Sequence, residues 1–400
     1  MSILIKNVTA VTMTDENPVI DNAYVAVKDN KISYVGVNEP NENFDIIIDG
    51  DKKVVMPGLV NAHAHVAMTL LRSYADDMSL HDWLFKKIIP YEDNLTPEMV
   101  YEGSIIGLKE MIESGTTCFN DMYFFQEETA KAARELGVRA VLNEGITDDV
   151  YDKKLQKTID LIENIKNDGD MIKVGISPHA VYTCTPETLE KCAKYAYEND
   201  LNIHTHLSET TKENIDCIAE YGKTPTQLML DVGLFEKNAI VAHCVALTHK
   251  DVEILSKNNV TVVHNPISNL KLASGVADVP ELVKNGVNVA LGTDGVASNN
   301  NLDLFEEIKM TGILHKGIKK DPTILPAFEV LKMATVNGAV ALGYDNLGVI
   351  KEGYLADLII IDFDTPHLSP NHNTISNLVY SVNGSDVETT IINGKIVYKR

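Results

Sequence analysis

The chain has 400 residues, 44% of them hydrophobic, and no apolar run approaches the ~18 residues of a membrane span, so it reads as a globular protein with a substantial core and no membrane partner. Lys and Arg total 35 against 57 Asp and Glu, and the formal charge of −22 repels a polyanion, which excludes nucleic acid but not a small neutral ligand held in its own pocket. Cys118, Cys184, Cys192, Cys217 and Cys244 are odd in number and lack CxxC spacing, which argues against both a disulfide framework and a thiolate zinc site.

The opening stretch, MSILIKNVTAVTMTDEN, has no basic n-region, long apolar h-region or small-residue cleavage site, so it is expected to be a strand and the protein cytoplasmic. AYVAV and KISYVGV follow, joined at Asp29-Asn30, a plausible tight hairpin turn. Eight apolar β-rich runs then alternate with helical patterns: VVMPGLVNAHAH, TTCFNDM, VRAVLNEG, IKVGISPH, LNIHTHL, AIVAHCV, VTVVHNP and VNVALGTDG. Among the helical stretches, PEMVYEGSIIGLKEMIES precedes the second run, and PETLEKCAKYAYEND opens behind a Thr185 cap with Pro186 at the first helical position. Eight such units without a break predict a (β/α)8 TIM-type barrel over residues 56–349. The last fifty residues return to short strands, with Asn393-Gly394 the strongest hairpin signal in the chain. Neither end is large enough to stand alone, so residues 1–55 and 350–400 are expected to pair into one small β-sandwich, a discontinuous domain.

Barrel enzymes place catalytic side chains at the C-terminal ends of strands, and the candidates fall there. His63 and His65 close the first run, His179 follows the fourth, His206 closes the fifth, His243 the sixth and Asp294 the eighth. Residues two apart on a strand share a face, so His63 and His65 aim two imidazoles at one point. Such a pair needs one more His and one carboxylate to hold a catalytic metal with a position left for water. A lone buried His is ordinarily a core residue; a set gathered at one barrel end favours a metal centre. His204 shares a face with His206 but lies one layer deeper, which suits packing or a bond to a ligand better than ligation. Glu209 can face the metal only where the strand has given way to a loop, and there it would serve as general acid/base; the competing reading is a helix-start carboxylate beside Thr210 and Thr211. Asp294 could equally cap a helix, but the cation's need for negative charge and for a nearby base favours it as ligand. Lys173 lies at the wrong end of the fourth strand to bridge two metals, so one divalent ion is expected.

The motifs PGLVNAHAH, THLSET, AHC, HNPISNLKLASG and LGTDG, in this order, resemble the amidohydrolase superfamily. ADDMSLHDWL followed by IIPYEDNLT is more specific and resembles the 5-methylthioadenosine/S-adenosylhomocysteine deaminases and the related 5′-deoxyadenosine deaminases, over nearly the whole chain. The resemblance implies hydrolytic deamination of adenine nucleosides, adenosine itself within range, to an inosine analogue and ammonia. It implies one zinc ion on His63, His65, His206 and Asp294, although this donor set suits iron as well. Glu209 would move a proton to the purine, His243 would polarise water, and Asp294 would act in catalysis as well as ligation. Glu92 would bind the ribose hydroxyls, His179 the purine and sugar, with Trp83 near the 5′ substituent and Ser298 on the pocket wall. By bland reading Glu92 is a surface helix residue and Trp83 a core aromatic. Relatives are often dimers or tetramers, so a homo-oligomer is implied.

One departure stands out: Glu144 occupies the place where relatives handling S-adenosylhomocysteine carry an arginine, and Lys154 lies near the place of a second. A free carboxylate there would repel the homocysteine carboxylate, so compact uncharged 5′ groups are expected. The rivals are another amidohydrolase reaction, such as guanine or cytosine deamination or triazine hydrolysis, and a non-catalytic barrel with a structural metal. Glu209 and His243 beside an open coordination shell argue against the last.

Overall fold

A computed structural model describes residues 1–400. Strands β1 (Ser2–Val11), β2 (Val19–Lys28), β3 (Lys31–Gly36), β4 (Ile46–Asp49) and β5 (Lys53–Pro57) open the chain. Strands β6 (Leu59–Ala64), β7 (Thr116–Tyr123), β8 (Arg139–Ile146), β9 (Ile172–Val174), β10 (Ser177–Pro178), β11 (Ile203–Leu207), β12 (Ala239–His243), β13 (Thr261–His264) and β14 (Val289–Leu291) alternate with helices, and β15 (Leu358–Asp362), β16 (Val387–Ile392) and β17 (Lys395–Lys399) end it.

The middle strands form two parallel sheets: β6, β7 and β8, with β9 and β10 both on β8, and then β11 to β14 in sequence order. Two seams join them into a ring. At one, Ala64 bridges Asp294 and the Asp294 N–H donates to His63 O at 3.0 Å; at the other, Ile176 bridges Ile203 and the His204 N–H donates to Ile176 O at 3.0 Å. Every residue of β6, β7, β8, β11 and β12 is buried, as strands covered on both faces require, so the polar residues among them, such as Asn120, Asp121, Asn143 and His204, must find partners inside the barrel.

Two of the predicted runs are each divided. VVMPGLVNAHAH splits at Gly58 into β5, which joins the terminal sheet, and β6, which enters the barrel. A Cβ on Gly58 would stand 2.2 Å from the Thr117 side chain, so only glycine lets the chain cross so close to β7. IKVGISPH breaks into β9 and β10 around Gly175, where a Cβ would meet Asn143 Oδ1 at 2.3 Å. The Thr185 cap forms as expected, accepting the Thr188 N–H and opening the helix Pro186–Asn199.

The terminal strands make one sheet in the order β17-β16-β15-β5-β1-β2-β3, with β4 also on β1. Both expected hairpins are present, with Lys28 paired to Lys31 across Asp29-Asn30 and Ile392 to Lys395 across Asn393-Gly394. The sheet folds on itself so that these turns meet: the Ala356 N–H donates to Asn30 O and the Gly394 N–H to Ala356 O. A Cβ on Gly394, at φ +73°, would fall 1.7 Å from Asp29 O. Period-two alternation then divides the labour between faces. Val54, Met56, Ile359 and Ile361 pack into the barrel's large core, while Val55, Leu358 and Ile360 pack into the sheet's own.

Arg139, at the start of β8, locks this sheet to the barrel floor. Its Nε and Nη2 donate to the two Asp357 oxygens at 2.8 and 3.0 Å, and Asp357 also accepts the Asn393 N–H at 2.8 Å. Both side chains are buried, so leaving either unpaired would cost about 3–5 kcal/mol. No helix is long and apolar enough to cross a membrane.

Candidate metal centre and active site

The opposite end of the barrel collects the histidines. Ligand atoms of His63, His65 and His206 lie within 4.8 Å of one another, as do those of His63, His243 and Asp294. In the first trio each Nδ1 is engaged by the protein: His63 Nδ1 lies 2.9 Å from His204 Nε2, His65 Nδ1 contacts Met122 O, and His206 Nδ1 lies 2.9 Å from His179 O. Each Nε2 is thereby turned toward a common point, and His63 Nε2, though fully buried, has no hydrogen-bond partner. A buried orphan nitrogen beside a carboxylate fits a cation at that point. The deeper placement of His204, as a support behind His63, matches its reading from strand period.

Asp294 completes the group, with Oδ1 3.3 Å from His63 Nε2 and 3.1 Å from His65 Nε2. Its Oδ2 accepts from Ser268 at 2.6 Å and Ser298 at 2.8 Å. Burial works to raise the Asp294 pKa, but the imidazoles of His63 and His65 beside it hold the carboxyl well below the usual carboxylate range. Burial pushes His63 down to about 3 and His206 well below the ordinary imidazole value, so both present the neutral form that ligates metals. At His65 burial is outweighed by Asp294, and the pKa rises to about 9; its proton is the one a cation would replace.

Glu209 and His243 flank this cluster, Glu209 Oε2 standing 4.0 Å from His243 Nε2. Glu209 is buried, which raises its carboxyl above the usual range and favours the protonated acid. Its backbone is fixed by Glu213, whose carboxylate accepts the N–H groups of Ser208 at 3.0 Å and Glu209 at 2.8 Å. Ser208, His243, Cys244 and Asp294 all have left-handed backbones, with φ of 48°, 75°, 51° and 62°. Non-glycine residues held there at the ends of β11, β12 and β14 store strain where the side chains must be aimed.

His65, His206, Glu209, His243 and Asp294 form the base of a cleft of about 150 Å³. Met68, Leu80, Trp83, Leu84 and Leu272 supply apolar wall, and Glu92, His179, Tyr123 and Thr147 supply polar positions. Glu92 is pushed up by burial and bonded to Tyr123. His179 Nδ1 lies 2.9 Å from Thr183 Oγ1, and burial lowers that ring to about 4, so it meets a ligand uncharged. Trp83 is buried, lines the cleft and leaves Nε1 unpartnered.

Three expectations need revision. Ser298 is buried behind Asp294 and is absent from the cleft wall, so its hydroxyl orients the carboxylate. Glu144 is off the wall as well, and Lys154 Nζ lies 2.6 Å from its Oε1, so the carboxylate is neutralised internally. Lys154 is likewise withdrawn from the cleft, over the Phe124 ring at 4.1 Å. Residues unmarked by their sequence include Glu213, Ser268 and Asn269, whose Oδ1 lies 2.9 Å from His243 Nδ1. Ser268 and Asn269 sit within HNPISNLKLASG, but the spacing that exposes strand-borne ligands says nothing about a support contributed from a neighbouring short helix.

The ring of parallel strands, the histidine and aspartate cluster at their C-terminal ends and the apolar cleft above it define a metal-dependent hydrolase barrel. The chain belongs to the amidohydrolase family, whose match spans residues 54–397. It is 47% identical to the 5-methylthioadenosine/S-adenosylhomocysteine deaminase of Thermoanaerobacter pseudethanolicus over 99% of this chain and 94% of that protein. It is also 47% identical to the 5′-deoxyadenosine deaminase of Methanosarcina mazei, over 99% and 92% of the two chains. Among solved structures, an adenosine deaminase from Xanthomonas campestris with bound zinc superposes with a TM-score of 0.94 at 35% identity, covering 98% of this chain and 92% of that one.

Proposed function

We propose that this chain hydrolytically deaminates adenine nucleosides, and that His63, His65, His206 and Asp294 hold one divalent ion, zinc as in the similar Xanthomonas structure. The observation that carries the reading is a buried acid, Glu209, facing His243 across 4.0 Å beside the histidine and aspartate cluster, under a cleft with a second carboxylate at Glu92. When bound, the cation would supply Lewis acidity and bring the pKa of a water to about 7. His243 and Asp294 are placed to take the water's proton as its oxygen adds to C6 of the purine. Glu209, whose carboxyl burial pushes upward, gives a proton to N1, so negative charge does not build on the ring. The proton taken up by His243 and Asp294 then passes to N6, the C6–N6 bond breaks and ammonia leaves, while the C6 hydroxyl returns its proton to Glu209 and the ring keeps the oxygen, with N1 protonated, as the inosine analogue. Glu92 accepts ribose hydroxyls, and neutral His179 bonds the base and sugar.

The reading is tested by ammonia release from metal-loaded protein offered adenine nucleosides, guanine, cytosine and a triazine. Turnover of no adenine nucleoside would sink it. Glu92→Gln should weaken nucleoside turnover sharply and leave a free-base enzyme almost untouched.

The 5′ group is narrowed by the cleft's charge, since Glu92, Glu209 and Asp294 line it and no Lys or Arg does. A homocysteine carboxylate would find no cation to pair with. Preference for 5′-deoxyadenosine and 5-methylthioadenosine over S-adenosylhomocysteine therefore rests on the missing cation rather than on repulsion by Glu144. A higher kcat/KM for S-adenosylhomocysteine would refute it.

A further inference from the structure

The short helix Pro266–Lys271 and the residues just after it touch each reacting side chain from behind the cleft. Ser268 Oγ donates to Asp294 Oδ2 at 2.6 Å, Asn269 Oδ1 lies 2.9 Å from His243 Nδ1, and Ser274 Oγ lies 3.4 Å from Glu209 Oε1. The segment is itself anchored, because buried Glu307 accepts the Ile267 N–H at 3.3 Å and the Asn299 amide at 2.6 Å. Asn269 is buried and its Nδ2 has no partner, so the oxygen toward His243 makes the one polar bond of its side chain.

An amide oxygen only accepts, so the His243 proton must sit on Nδ1, and Nε2 keeps a lone pair on the side facing Glu209. The amide of Asn265 approaches the same Nδ1 only at 3.4 Å, a much weaker contact. His243 also sits at φ 75°, a strained backbone that does not by itself fix the ring. We propose that Asn269 is a positioning residue for the reaction: it locks His243 in the tautomer and orientation that leave Nε2 free to receive the water's proton, and through its helix registers His243 against Asp294 and Glu209. This rests on the hydrolytic reading of the site but not on which amine is lost.

The test compares Asn269→Leu, which removes the acceptor at similar volume, with Asn269→Asp, which restores one. Metal content, the dissociation constant for the inosine-type product, kcat and KM are measured on metal-loaded protein. Asn269→Leu should keep one metal per chain and bind product within about threefold of the parent, while kcat falls by about 10- to 100-fold. Asn269→Asp should recover at least about tenfold of that loss. A kcat loss below about threefold, a KM that rises in step with the fall in kcat, loss of metal, or no recovery in Asn269→Asp would overturn the proposal. Should Asn269→Leu fail to fold, Asn269→Ala carries the same comparison. Were the parent to act on guanine or a triazine instead, the nucleoside reading would fall, and these variants would be ranked on that substrate.

Discussion

The two ends of the barrel obey opposite rules. At the floor, the buried charges Arg139 and Asp357 are matched to each other and to backbone groups, and glycines stand where chain segments cross. At the mouth, four non-glycine residues hold left-handed backbones, His63 Nε2 lacks a partner, and Glu209 and Glu213 are buried with raised pKa values. Arg139 and Asp357 at the floor neutralise each other, whereas Glu209 and Glu213 at the mouth are buried without a cation beside them, and that end is where binding and proton transfer are expected.

The largest effect that sharpens this contrast is at Glu209. Glu209→Gln should lower kcat by about 10²- to 10⁴-fold while leaving the melting temperature unchanged or raised, because a buried acid is removed from a strained site. Arg139→Met should do the reverse. It should cost about 3–5 kcal/mol in denaturant unfolding, with the specific activity of the folded fraction preserved. Loss of activity without loss of stability there would break the contrast.

Ser268→Ala, at the mouth, should weaken metal affinity by about 10- to 100-fold in a chelator competition, since Asp294 retains only the Ser298 bond on Oδ2. Unchanged affinity would mean that the carboxylate is held without it.

The smallest effect is a pH dependence at Glu213, raised to about 7 by burial and by the neighbouring Glu209. A carboxyl whose folded pKa exceeds its unfolded value adds stability that is complete below the ordinary carboxyl range and is lost as pH climbs through the folded value. The parent should therefore lose stability between about pH 5 and 8 that Glu213→Gln retains, so the variant's melting temperature should gain on the parent by a few degrees across that interval. A constant difference would place the Glu213 pKa outside it.

Strand period made the site's inner layer legible: His63 and His65 two apart, His206 with His204 beneath it, and His243 and Asp294 at later strand ends are all brought together. Residues that act sideways were hidden. Asn269 reaches His243 from 26 positions away and Ser298 turns back onto Asp294, contacts set by how short helices pack over the strand ends rather than by any repeat. Lys154 lies ten residues from Glu144 on a different element, so the neutralising pair could not be told from two free charges. In the fold, the eight units were readable because each buried strand holds an apolar, β-rich segment between two helical patterns, even where polar residues interrupt it. The crossings at Gly58 and Gly175 were not, since both sides of each glycine are equally strand-like and only the close approach of Thr117 or Asn143 requires the break.

The pairing of β5 with β15 also orders events in time. Met56 and Val55 stand opposite Ile359 and Ile360, partners separated by roughly 300 residues of chain, a stretch that takes roughly 15 to 60 s to synthesise. Throughout that interval one edge of β5 has emerged from the ribosome and its partner strand has not. Arg139 likewise waits for Asp357. All the histidines at the barrel mouth precede β15 in the chain, so a nascent chain could assemble its metal ligands while its floor is still open. That floor closes only as the last strands arrive.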